Sequence, residues 1–122
     1  MDDLSAQKAS VEASIVDATK SYENAKAAYE KAQSVTLQAQ KDLDSATSNY
    51  NEKKAIYDSA SDPTLKAQYE ADVVQAEKDL VTAQNNLKSA TDEQSAKENA
   101  VNKAQINLNQ VNTNIQLFTI TN

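Results

Sequence analysis

Ser59-Ala60-Ser61-Asp62-Pro63-Thr64 is the one interruption in a chain of 122 residues. Pro63 is the sole proline, and there is no glycine. Asp62 is a good N-cap, and a proline fits the first helical position, where its missing N–H costs nothing. The residue before a proline is pushed out of the α region, so Asp62 ends the preceding helix as well. The stretch therefore predicts a first helix over about 3–60, a turn at about 61–62, and a second helix over about 63–117. An uncharged tail at 118–122 follows. At 1.5 Å per residue each helix would be about 80 Å long.

Outward from this bend the dominant signal is a seven-residue period. On the N-terminal side one line reads Leu4, Val11, Ala18, Ala25, Ala32, Ala39, Ala46, Lys53, Ala60. A second, offset by three or four, reads Lys8, Ile15, Tyr22, Tyr29, Thr36, Leu43, Tyr50, Tyr57. On the C-terminal side the lines are Tyr69, Ala76, Ala83, Ala90, Lys97, Ala104, Val111, Phe118 and Val73, Leu80, Leu87, Gln94, Val101, Leu108, Ile115. One line in each half is mostly small and the other mostly large. All the aromatic residues, five Tyr and one Phe, fall on these lines, where chance would place about two in seven. The fold class is all-α: a long antiparallel two-helix coiled-coil hairpin with an Ala-rich heptad seam, open to packing into a larger helical bundle on oligomerisation. A strict seven-residue repeat predicts a left-handed supercoil.

A tight turn sets facing residues to numbers that sum to about 122 or 123. Ala46 then lies near Ala76, Leu43 near Leu80, and Ile15 near Leu108. A rival register, with sums near 126, sets every large residue against a small one. The position of the turn favours the first.

Composition excludes several kinds of protein. Zero Gly argues against the many turns of an α/β or all-β domain. The net charge is −6 and every basic residue is Lys, so the basic, Arg-bearing face of a nucleic-acid binder is missing. There is no Cys or His, and a two-helix seam offers no cleft, which argues against an enzyme and against a metal, cofactor or small-molecule site. Met1-Asp2-Asp3 does not read as a signal peptide. The longest uncharged run, Ala104 to Asn122, is loaded with Asn, Gln and Thr, which are costly in hydrocarbon. The expected location is cytoplasmic or within a virion, with no membrane insertion.

Lys8, Thr36, Lys53, Gln94 and Lys97 interrupt the apolar seam. They read as register control or as Lys stems reaching water from the seam edge. Tyr29, Gln94 and Lys97 form a polar seam layer that suits a local hydrogen-bonded cluster. The other Tyr rings read as core, with hydroxyls at the edge. Lys26–Glu30, Lys66–Glu70 and Glu93–Lys97 are placed for helical ion pairs. Val16, Val35, Leu37, Ile56, Val74, Val81 and Ile106 lie off the seam, where a second hairpin or a host protein would cover them. The isolated chain is expected to be marginal in stability or self-associating.

No charge occurs after Lys103. Burying an uncharged Asn/Gln surface against a partner costs less than burying Lys and Glu. Ile106, Asn109, Asn112, Asn114, Leu117, Phe118 and Ile120 are the candidate docking residues. Leu117-Phe118-Thr119-Ile120-Thr121 alternates apolar and polar, so it reads either as a short strand added to a partner's sheet edge or as a frayed end.

Ala25-Lys26-Ala27-Ala28-Tyr29-Glu30-Lys31-Ala32 and Ala76-Glu77-Lys78-Asp79-Leu80-Val81-Thr82-Ala83-Gln84 resemble two groups. One is the α-hairpin of the periplasmic adaptor (membrane fusion) proteins. Lys103-Ala104-Gln105-Ile106-Asn107-Leu108 and Thr119-Ile120-Thr121 are similar to the place where that hairpin rejoins its lipoyl-like domain. The other is the Ala-rich coiled-coil stalk of bacterial surface adhesins. The resemblance implies a protein-binding hairpin. The adaptor's Gly-containing domains and the Arg of its hairpin tip are absent, so no functional residue carries over. The leading expectation is a non-enzymatic structural or assembly protein, a spacer or docking hairpin in a multi-subunit particle such as a bacteriophage virion or tail. The alternatives are the binding module of a transport adaptor or surface stalk, and a small soluble regulatory coiled-coil protein.

Overall fold

The computed structural model describes the backbone from Asp2 to Thr121 and the side chains from Leu4 to Thr119. Two helices account for 97% of the described residues and pack against each other as a helical hairpin. α1 spans Asp2–Ser59 and α2 spans Pro63–Thr121. Ala, Gln, Lys, Glu and Leu are strong helix formers, and neither helix contains a residue that breaks it after its first position.

The bend is built as its residues dictate. The Asp62 carboxylate accepts from the backbone N–H of Thr64 at 2.9 Å and of Leu65 at 3.5 Å. Its carbonyl accepts the first intrahelical bond, from Lys66 N–H at 2.8 Å. α1 ends without a left-handed residue, since no described residue has a positive φ. Instead Ala60 N–H tightens onto the Tyr57 carbonyl at 3.2 Å, and the Ser59 hydroxyl donates to Ile56 O at 3.2 Å. These bonds satisfy carbonyls that a helix end otherwise leaves open. Asp62→Ala is expected to cost about 1 kcal/mol in chemical denaturation, with Asp62→Asn close to wild type. Equal loss in both variants would remove the cap from the account.

The hairpin divides into two compact units, Gln33–Glu93, which carries the bend, and Met1–Ala32 with Gln94–Asn122. In both, burial follows the seven-residue period. Every predicted seam residue from Val11 to Ala60 and from Tyr69 to Phe118 is buried or half-buried, while Leu4 and Lys8 are exposed. Among the described residues only alanines are buried: Ala39, Ala76, Ala83 and Ala90 in the first unit, Ala18 and Ala32 in the second. The Tyr, Leu, Ile and Val side chains of the seam are half-buried, because two helices have no third surface to close over them.

In Gln33–Glu93 the register is the opposite of the one the turn favours. The Thr36 hydroxyl donates to Ala90 O across the helix pair at 3.2 Å, a pair whose numbers sum to 126. The physical reason is uniform spacing. Small-on-small and large-on-large layers would demand alternating helix separations, which straight helices cannot supply. Large-on-small layers keep the separation constant and the packing dense.

Two further expectations are corrected. Residues 118–121 continue the helix where a tail was expected, for α2 runs on to Thr121. No residue after Pro63 stops a helix, and the seam residue Phe118 is half-buried. Of the anticipated ion pairs, Lys66–Glu70 and Glu93–Lys97 do not form among the described residues. Lys8–Glu12 at 4.0 Å and Lys88–Asp92 at 3.1 Å form instead, both exposed and worth a few tenths of a kcal/mol at most. Lys66 lies over the Tyr57 ring, 4.9 Å from its centroid, and so ties the two helices together beside the bend.

Candidate docking surface

Each residue of an α-helix is turned about 100° from the last, so the seam fixes what points away from it. On α2 the seam residues Leu108, Val111 and Ile115 put Ile106, Gln110, Thr113 and Leu117 on the outer face. Ile106 is 58% exposed and Leu117 57%. Ile106, Asn109, Gln110, Thr113 and Asn114 line one shallow groove along it. The polar side chains are ordered along the helix. Gln105 Nε2 donates to Asn109 Oδ1 at 2.9 Å, and the Thr113 hydroxyl donates to Asn109 O at 3.0 Å.

The predicted docking residues divide accordingly. Ile106 and Leu117 share the outer face, and Asn109 borders it. Asn112 and Asn114 are exposed on opposite flanks of the helix, so no single flat partner surface touches both. Phe118 is half-buried in the seam, where its place in the heptad puts it. The side chain of Ile120 lies outside the described residues. Sequence reasoning missed Gln110 and Thr113. Their spacing of three and four from Ile106 and Leu117 was the signal that could have found them.

No protein-family model matches this chain, and no curated protein or solved structure matches it.

The remaining surface carries isolated apolar positions. Val16, 63% exposed, borders a groove with Ile15, Thr19, Lys20 and Glu23. Val74 and Val81 border another with Glu77, Lys78 and Thr82. Each of these includes charged side chains, whereas the groove beside Ile106 has none. Tyr29, Gln94 and Lys97 are all half-buried in their unit, and no hydrogen bond joins Tyr29 to either among the described residues. No group of three or more Asp or Glu is placed to hold a metal ion among the described residues. No described helix is long and apolar enough to cross a membrane.

Proposed function

We propose that this chain is a non-enzymatic structural hairpin that docks into a multi-subunit assembly through the outer face of α2 between Ile106 and Leu117. A bacteriophage virion or tail accessory subunit is the specific form of this reading. The observation that carries it is the pairing of two well-exposed apolar side chains with a surface free of charge over the last 19 residues. A charged face resists burial because each ion must shed its water, while Asn, Gln and Thr exchange water for a partner's polar groups at little cost. The hairpin supplies length and stiffness, and the neutral face supplies the attachment.

The test is the variant Ile106→Asp/Leu117→Asp, which alters the face and leaves the seam intact. In extracts of its source, the tagged wild-type chain is expected to sediment in a particle larger than the hairpin, and the variant in the slow fractions. A variant that stays in the large particle would show that this face is not the attachment.

A further inference from the structure

We propose that the occupant of this face is a second copy of the same chain, bound antiparallel about a twofold axis between Val111 and Asn112. The inference rests on the docking reading above and names the partner.

Three observations carry it. The first is spacing. Ile106, Gln110, Thr113 and Leu117 are separated by four, three and four residues, a pattern that reads the same in both directions. An antiparallel twofold pairing brings Ile106 against Leu117 of the second copy and Gln110 against Thr113 of the second copy, each twice. The four-three-four step is also the spacing of a coiled-coil seam, so the stripe lies straight along a partner helix.

The second is the border. Asn107 and Asn114 flank the stripe on one side, Asn109 and Gln116 on the other, and all four are exposed. An amide both donates and accepts, so these four side chains of one copy find partners among the same four amides of the other. Lys against Lys or Glu against Glu at such positions would repel.

The third is charge. The unit Gln33–Glu93 holds six Lys against eleven Asp and Glu, a net −5. The unit that carries the stripe holds six Lys against seven Asp and Glu, a net −1, and none of these lies beyond Lys103. Self-pairing elsewhere sets like charge against like, and here it does not. A single helix face is at the small end of specific interfaces, so the pair is weak and forms as concentration rises.

Disulfide trapping on the full chain tests this directly, because the native sequence has no cysteine. In the antiparallel register Ile106 is level with Leu117 of the second copy, whereas Ile106 and its own mate are 11 residues apart, or about 16 Å along the axis, beyond the reach of a disulfide. Both positions are exposed, so Ile106→Cys and Leu117→Cys leave the fold intact, as circular dichroism would verify. An equimolar mixture of the two variants is expected to oxidise to a covalent dimer at least about tenfold faster than either alone. Equal rates for the mixture and the single variants would overturn the twofold register, and no dimer in any sample at millimolar chain would overturn self-pairing. If dimer is absent while the wild-type chain still sediments in its large particle, the docking reading survives and the second copy does not.

Discussion

Exchanging Leu43 and Ala83 is expected to cost less than the two single changes added together. Leu43→Ala empties a half-buried position and should lose about 1–3 kcal/mol, below the full-burial range for such a change. Ala83→Leu crowds a residue that is only 7% exposed and should lose about 1–3 kcal/mol through displaced backbone and strained rotamers. The double variant should recover at least about 1 kcal/mol of the combined loss, since the new Leu fills the space the old one left. Urea denaturation of the four proteins gives the coupling. Leu43→Ala combined with Ala90→Leu, a heptad further along α2, should show none. Strict additivity for Leu43 and Ala83 would refute the large-on-small layering inferred from the Thr36–Ala90 hydrogen bond.

Ala76→Glu should be the most damaging single substitution. Ala76 is 2% exposed, the most enclosed side chain described. A carboxylate there must give up its water, or push the helices apart to reach solvent. The expected loss is about 3 kcal/mol or more, a large share of the stability of an ordinary domain. Ala71→Glu, on an exposed position of the same helix, should change little. Helicity and melting temperature measured side by side separate the two cases. A stable Ala76→Glu protein would mean that the Ala line is not where the helices touch.

The seam was legible because it is written in volume and polarity at a fixed period, the quantities that decide which side of a helix loses water. The bend was legible because Asp62 and Pro63 each have a single backbone use. The register was not, because two lines of large and two of small residues fit together in either of two ways. The choice between them turns on keeping the helices evenly spaced, which no single residue declares. The end of α2 was misjudged for a related reason. Ile120 and Thr121 favour strands, but propensity is weak beside a seam that continues through Ile115 and Phe118. The docking face was half legible. Loss of charge marked the segment, but only the angular position of the seam separates Ile106 and Leu117, which face outward, from Phe118, which does not. The ion pairs were poorly foreseen because exposed Lys and Glu side chains have many rotamers of similar energy.

The bend at Ala60–Asp62 uses only ordinary right-handed or extended backbone, with no φ that a side chain would forbid. Its geometry therefore makes no stereochemical demand on position 61, which is exposed and can take most L-amino acids, whereas Ala60 still belongs to the half-buried seam. The reversal between α1 and α2 thus holds one position where sequence can drift, with specificity for the fold held instead by Asp62 and by the long alanine lines on either side.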